Sequence, residues 1–235
     1  MKTWIQTAKD LPINGKVQIE CPENCGSGEK LSVELKRIND LNEAAASIEL
    51  TLELPKDFTN DIPRHGRSWL FKAGINVPTW TTYNIGYSKT LDRVILPIYN
   101  EEGSLIWYQC RALQQGQKPK YLQPARDRSK IMFRVIKDKR DTQSAIIVED
   151  ILSAIRVGAH ANTYSLLGTK ITTEQASYFS KYQEVTTWLD PDRAGRDGAY
   201  KIRRTLGLIT DTKNIVTSTD PKDLSDKQIK EHLTN

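Results

Sequence analysis

The residues best suited to chemistry are two aspartates, Asp190 and Asp192, that follow a strand-like segment. Residues 185–189 are mostly apolar or β-branched, which predicts a buried strand. Because side chains two apart point the same way in extended backbone, the two carboxylates can converge where the sheet meets solvent. Carboxylates that close repel each other unless a cation lies between them. Oxygen ligands on an open loop suit Mg²⁺ or Mn²⁺, which keep several waters and bind phosphate oxygens.

A second interpretation of this pair is also open. Asp residues in a strand-to-helix turn often cap the following helix, and a helical pattern begins at about Ala194. A lone pair of acids therefore does not distinguish a metal site from a helix cap. The placement of other acids along the chain favours the metal site.

From residue 145 onward, strand-like and helix-like segments alternate. The predicted strands cover residues 145–148, 163–167, 185–189 and 214–217, and the predicted helices cover residues 151–157, 173–182 and 194–206, with Thr172 and Ser225 as caps. This alternation predicts parallel βαβ units, whose ligands gather at the carboxyl ends of the strands. Glu149, Asp190, Asp192 and the loop at 220–223 all fall at such ends.

The preceding residues predict smaller elements. Residues 63–85 are predicted to form a short helical hairpin, and residues 93–98 and 105–110 a β-hairpin. Residues 115–130 are polar and punctuated by Gly and Pro, which predicts a loop. Residues 48–54 alternate and predict a further strand, which closes a small β unit that begins with Val17 and Ile19 and continues through residues 31–35.

Composition limits the class of protein. The 235 residues, 38% of them apolar, suffice for one large or two small domains. We find no apolar run near the roughly 20 residues that a membrane span needs, and no apolar signal segment in the first residues, so we expect a soluble cytoplasmic protein. Three cysteines cannot form a disulfide framework.

Two of those cysteines, Cys21 and Cys25, form a turn-rich knuckle. This knuckle is half of what a zinc ribbon needs, since a structural zinc site takes four ligands. Cys110 is far downstream and His65 is isolated in the sequence. We therefore expect little or no zinc to bind through residues 1–60.

Positive charge is concentrated in one segment. Residues 111–140 contain ten Lys or Arg against two Asp, a net charge of +8, although the whole chain carries only +5. A basic block of this kind suggests a partner with a phosphate backbone, and a solvated loop would look similar.

The acids together resemble the TOPRIM domain of primases, topoisomerases and some nucleases. The resemblance rests on Glu149 after a first strand, Asp190 and Asp192 after a later one, and Asp223 downstream. The residues at 193–198, and upstream the segments 93–98 and 119–122 with Arg111, resemble DnaG-type primases more narrowly. The two-cysteine knuckle resembles a degenerate form of the zinc ribbon of those primases. The compactness of the chain resembles that of a bacteriophage primase of this type.

The resemblance implies an α/β fold, α+β overall, in three parts. Residues 142–235 would form a TOPRIM catalytic domain with a parallel βαβ sheet, residues 61–141 a basic primase subdomain of mixed structure, and residues 1–60 a degenerate zinc-ribbon-like β unit.

The implied function is synthesis of RNA primers on single-stranded DNA during phage DNA replication. Metal would be held by Glu149, Asp190, Asp192 and Asp223, with Lys120 as a further catalytic residue, and template or nucleotide phosphates would be bound by Arg111, Lys120, Tyr121, Arg126, Arg128 and Lys130. The partners would be the template, ribonucleoside triphosphates and, since no Gly-x4-Gly-Lys-Ser/Thr phosphate loop occurs, a separate replicative helicase. A TOPRIM nuclease and a non-catalytic DNA-binding or helicase-associated module are the alternatives.

Overall fold

A computed structural model describes residues 52–234 and, of the preceding residues, the backbone of two strands, β1 (Trp4–Thr7) and β2 (Lys16–Ile19). These strands pair antiparallel with each other. The chain divides into two compact units, Met1–Thr51 and Leu52–Asn235. Cys21, Cys25 and the predicted strand segment at 31–35 lie outside the described residues, as does most of the segment at 48–54, whose residues 52–54 are not in a strand. The boundaries at 60 and 141 stay predictions.

The first sheet of the larger unit is antiparallel and has five strands. In spatial order these are β3 (Phe58–Thr59), β4 (Gly86–Ser88), β5 (Arg93–Tyr99), β6 (Leu105–Ala112) and β7 (Tyr121–Leu122). The predicted hairpin is confirmed, since β5 and β6 pair along almost their whole length. Its buried side chains include Val94, Leu96 and Trp107. The predicted loop contributes only the short edge strand β7.

Two short helices follow β3 in the chain. They are α1 (Arg64–Lys72) and α2 (Val77–Thr82), and they lie in the segment where a short helical hairpin was predicted. Gly74 lies between them at φ +70°, a conformation that glycine adopts without steric cost. Asn76 then starts α2 by accepting a hydrogen bond from Thr79 N at 3.0 Å.

The second sheet contains the predicted βαβ units. Its spatial order is β12 (Asp211–Asn214), β11 (Glu184–Thr187), β9 (Ser144–Val148), β10 (Thr163–Ser165) and β8 (Phe133–Val135). Strands β9 to β12 are parallel, and β8 adds an antiparallel edge that we did not predict. The last strand lies three residues before the predicted 214–217. The pattern failed there because β12 is a polar edge strand, which needs no apolar side chains.

Four helices connect or flank these strands. They are α3 (Ile151–Gly158), α4 (Thr173–Tyr178), α5 (Arg193–Leu206) and α6 (Asp226–Thr234), with 3₁₀ turns at Phe179–Lys181 and Pro221–Asp223. The predicted caps are confirmed. Thr172 and Gln175 form a capping box. Ser225 Oγ accepts from Gln228 N at 3.3 Å. The predicted helix at 173–182 is instead α4 followed by a 3₁₀ turn.

The central strand of the second sheet, β9, is buried on both faces. On β9, Ile146 and Val148 face a core shared with the first sheet, and Ala145 and Ile147 face a separate core under α4 and α5. A parallel sheet covered on both faces explains the continuous apolar run of β9. No described helix is long and apolar enough to cross a membrane.

The contact between α3 and β8 gives a test of this packing. A Cβ at Gly158 would overlap the side chain of Val135. Gly→Ala in a helix normally stabilises by about 0.5–1 kcal/mol, but overpacking costs about 1–3 kcal/mol. We therefore expect Gly158→Ala to lower the free energy of unfolding in urea titrations. Lys201→Ala, on the exposed face of α5, is the control, and unchanged or increased stability of Gly158→Ala would show that this packing is wrong.

Candidate active site

Two neighbouring strand ends bring the first acids together. Glu149 follows β9 directly, and Asp190 follows β11 after two further apolar residues. The two strands are parallel, and Trp188 N donates to Ile147 O at 2.8 Å, so the pairing continues toward both acids. The sequence prediction that these carboxyl ends adjoin is therefore confirmed.

Each of these two acids has a buried oxygen without a hydrogen-bond partner. The atoms are Glu149 Oε2 and Asp190 Oδ1. Burial raises the pKa of Asp190 to about 7, and the charges of Asp150, Asp220 and Glu149 also raise it against the opposing charge of Lys222. Burial likewise raises the pKa of Glu149, as does the nearby charge of Asp192. The pair is thus a place where added positive charge would be stabilised.

Asp192 has a different local role from Asp190. Its Oδ1 accepts a hydrogen bond from Gly195 N at 2.7 Å and caps α5. The helix-cap interpretation is therefore confirmed for Asp192, and its second oxygen is not used by the cap. Asp192 does not line the cavity that Asp190 lines, although its charge acts on Glu149.

The tight turn after β11 depends on a glycine. A Cβ at Gly195 would overlap the carbonyl oxygen of Asp190. Because this clash is with backbone, it cannot be relieved by a side-chain rotation. Gly195 therefore allows the start of α5 to approach the backbone of the acid that we expect to bind metal.

The loop after β12 adds a cation to the acids. Lys222 Nζ lies 3.0 Å from Asp150 Oδ2, 2.5 Å from Asp220 Oδ2 and 3.7 Å from Asp190 Oδ2. Burial lowers the pKa of Lys222, but these carboxylates outweigh burial and raise it overall. Neither Lys222 nor Asp150 was predicted as a site residue. The sequence signal for Lys222 was its place between two acids of the loop at 220–223.

One cavity of about 340 Å³ joins these acids to the edge of the first sheet. Of the predicted site residues it is lined by Arg111, Lys120, Tyr121, Glu149, Asp190 and Asp223. It is also lined by Lys222, Asp150 and Asp220, which sequence reasoning did not select. The cavity therefore has an acidic wall on one sheet and a basic, aromatic wall on the other.

Arg111 is held in the basic wall by two rings. Its guanidinium carbon lies 5.2 Å from the ring centroid of Tyr121 and 5.7 Å from that of Trp69. Its Nε is buried without a hydrogen-bond partner. Tyr121 is thus a packed aromatic, and burial raises its pKa. The arginine retains hydrogen-bonding capacity for an anion.

The rest of the predicted phosphate-binding block lies elsewhere. Arg126, Arg128 and Lys130 are absent from the lining of the cavity, so this cavity does not support our expectation that they face the acids. Their segment is instead anchored by Thr172 Oγ1, which donates to Ser129 O at 2.5 Å. A role of these three residues in binding phosphate stays a prediction.

Two residues considered as zinc ligands have other surroundings. Cys110 is buried in β6, and burial raises the pKa of its thiol to about 11. His65 Nε2 lies 3.3 Å from Asp92 Oδ1. Throughout residues 52–234, we find no group of three or more His, Cys, Asp or Glu side chains arranged to hold a metal ion.

A protein-family profile described as Toprim-like matches residues 146–228. This match spans Glu149, Asp190, Asp192 and Asp223, as the sequence predicted. Residues 146–228 are therefore similar to Toprim-like domains. Its sequence is related to DNA primases, with 26% identity over 125 residues to that of Legionella pneumophila and 28% over 121 residues to that of Listeria monocytogenes. These matches cover 49% and 47% of this chain but 22% and 19% of the relatives, so the chain spans about a fifth of their length.

The fold around the Toprim-like domain is that of primase catalytic cores. The zinc-binding and RNA polymerase domains of the Aquifex aeolicus primase superpose with a TM-score of 0.65 at 18% identity, covering 92% of this chain and 63% of that one. A DnaG catalytic core superposes with a TM-score of 0.61 at 19% identity, covering 83% and 78%. The predicted α/β fold is therefore confirmed, and the bacteriophage and zinc-ribbon features stay predictions.

The turn at Gly195 leads to a prediction about this site. Gly195→Ala should lower the free energy of unfolding by about 1–3 kcal/mol or more, because backbone has to move to accommodate the Cβ. The neighbouring Ala194→Gly is the control, with an expected loss of about 0.5–1 kcal/mol from helix propensity alone. Urea denaturation measures both variants. A smaller loss for Gly195→Ala than for Ala194→Gly would contradict the close approach of Asp190 to α5.

Proposed function

We propose that this chain is a primase, a DNA-directed RNA polymerase that joins ribonucleotides into short primers on single-stranded DNA during DNA replication. The observation that carries the proposal is the cavity whose acidic wall has two unpartnered carboxylate oxygens and whose opposite wall presents Arg111 and Lys120. Nucleotidyl transfer needs such a pairing, because a triphosphate and its metal bring negative and positive charge to the same place. The relation to bacterial primases supports this choice among Toprim-like activities.

The donor set suits a divalent metal. Glu149 Oε2 and Asp190 Oδ1 are buried, unpartnered and anionic when ionised. Mg²⁺ usually takes one or two carboxylates together with waters and substrate phosphates, so a preformed cage of three side chains is not required. We propose that Glu149 and Asp190 hold Mg²⁺ or Mn²⁺, with Asp192 and the exposed Asp223 as outer ligands. Bound there, the metal would neutralise charge on the phosphate oxygens.

The chain's own cations would position the nucleotide. Arg111, fixed between two rings, presents a rigid guanidinium to a phosphate oxygen. Lys120 precedes β7 in the same wall, and we propose that its ammonium binds the triphosphate during transfer. Tyr121 would support Arg111 and, at its exposed part, contact a base.

The template would approach along the basic block. A DnaG catalytic domain of the same fold has been solved bound to single-stranded DNA. For this chain we propose that Arg126, Arg128 and Lys130 bind template phosphates outside the cavity. We further propose that it acts in the cytoplasm, that of the host if a phage encodes it, beside a helicase supplied by another chain.

Primer synthesis gives the direct test. With single-stranded DNA, labelled ribonucleotides and Mg²⁺ or Mn²⁺, the wild-type protein should form oligoribonucleotides. Asp190→Asn and Glu149→Gln should each reduce their yield by about 100-fold or more, because each removes a charged metal ligand. Glu174→Gln, an exposed acid of α4, should leave the yield unchanged. Cleaved DNA without primers would indicate a nuclease instead, and binding without either product a non-catalytic module.

Salt dependence separates the two groups of cations. Binding of a labelled single strand should weaken with salt by about 0.7 log units per log unit for each phosphate contact. Arg126→Ala, Arg128→Ala and Lys130→Ala combined should therefore flatten that slope by about 2. Lys120→Ala should reduce primer yield more than it reduces DNA affinity. Lys227→Ala is the surface control, and an unchanged slope in the triple variant would place the template path elsewhere.

A further inference from the structure

The acidic wall already contains a cation of the protein's own. Lys222 Nζ contacts Asp150 Oδ2 at 3.0 Å and Asp220 Oδ2 at 2.5 Å, and Asp190 Oδ2 is 3.7 Å away. Its side chain is 21% exposed, so water screens these contacts only partly. Three carboxylates around one ammonium resemble the oxygen ligands around a bound metal ion.

Two of these carboxylates are committed to their present partners. Asp150 caps α3, where its Oδ1 accepts from Leu152 N at 2.8 Å and from Ser153 N at 3.0 Å, and its Oδ2 accepts from Ser153 Oγ as well as from Lys222. Asp220 meets the same ammonium from the loop. A metal bound between Asp150 and Asp220 would therefore have to displace Lys222.

The loop that carries Lys222 is itself fixed. Pro221 is buried, and Arg156 Nη2 of α3 donates to Leu224 O at 2.7 Å. Arg156 also pairs with Asp226 at the start of α6, at 2.9 Å. These contacts hold the loop on both sides of Lys222, so the ammonium is positioned by the fold.

Two carboxylate oxygens of the acidic wall have no partner of this kind. Glu149 Oε2 and Asp190 Oδ1 have no hydrogen-bond partner, whereas Asp190 Oδ2 faces Lys222. Asp190 thus offers one oxygen to Lys222 and keeps the other without a partner. Among the carboxylates of residues 52–234, the buried oxygens that remain uncommitted are this one and Glu149 Oε2.

We infer that Lys222 is a built-in cation that takes the place of one metal ion, so that the acidic wall binds one divalent ion, at Glu149 and Asp190, and not two. The inference rests on the proposed function, because it presumes that these acids bind a divalent metal. Lys222 is then a positioning residue that acts through Asp190. Asp150 and Asp220 are the carboxylate partners of Lys222 and not metal ligands.

Titration with Mn²⁺ alone, without DNA or nucleotide, tests the inference on the full chain. Counting bound ions by the loss of the free-Mn²⁺ electron paramagnetic resonance signal should give one tight site per wild-type chain. Lys222→Met removes the charge and keeps much of the volume, and it should give two. Lys222→Arg keeps the charge and should give one, as should Lys227→Met, which removes an exposed lysine of α6.

Thermal unfolding gives a second readout that activity does not affect. In chelator, Lys222→Met should melt below the wild type, because it leaves neighbouring carboxylates without their counter-charge. Mn²⁺ should raise its melting temperature more than that of the wild type. If Lys222→Met is unfolded in chelator, folding regained on adding Mn²⁺ supports the inference, and failure to regain it contradicts it.

The outcomes separate this inference from the proposed function. A wild-type chain that binds no Mn²⁺ would contradict the proposed metal site, and the inference with it. A wild-type chain that binds two ions, or a Lys222→Met variant that binds one ion like the wild type, would overturn the inference alone. Primer synthesis by the wild type with one bound ion would support both the proposed function and the inference about Lys222.

Discussion

Repulsion among half-buried carboxylates is the constraint on which the site depends. Parallel pairing of β9 and β11 places Glu149 and Asp190 side by side, and the loop after β12 brings Asp220 to the same edge. Like charges at this spacing and burial are costly unless a cation compensates them. Lys222 compensates part of the charge, and the remainder is what a divalent ion can use. The fold thus tolerates the strand-end acids without neutralising all of them.

The N-termini of two helices lie next to these acids in the chain and stabilise their negative charge. Asp150 caps α3 directly after Glu149, and Asp192 caps α5 directly after the turn that follows Asp190. The free N–H groups and the positive dipole end of each helix favour negative charge at these places. The same short connections therefore end a strand, start a helix and present an acid. A change of one residue in their length would shift the acid away from the edge.

Sequence reasoning located the strand-end acids because apolar strands and helix caps leave local patterns. Glu149 and Asp190 could be predicted in this way, and so could the caps at Thr172 and Ser225. The contact between Lys222 and Asp150 could not, because an ion pair between residues 72 apart leaves no periodic signal. The positions of the cations in the basic block could not be predicted for a related reason. The density of charge along the sequence does not show which cations line the cavity. Lys120 lines it, and its backbone is held beside β6 because its carbonyl oxygen accepts a hydrogen bond from Ala112 N at 3.0 Å.

The acidic and basic walls of the cavity stay apart because the charged side chains of each wall are held by contacts within that same wall. Within residues 52–234 no ion pair joins Arg111 to an acid; the arginine packs between Trp69 and Tyr121, whose rings hold it without removing its charge. Lys222, which comes from the acidic side, neutralises that side instead. Had Arg111 paired with Asp190 across the cavity, the pair would have closed the space that a phosphate and its metal need. Because the two sheets share one core, the separation of the walls is fixed by packing, and the charges on either side remain available to a ligand.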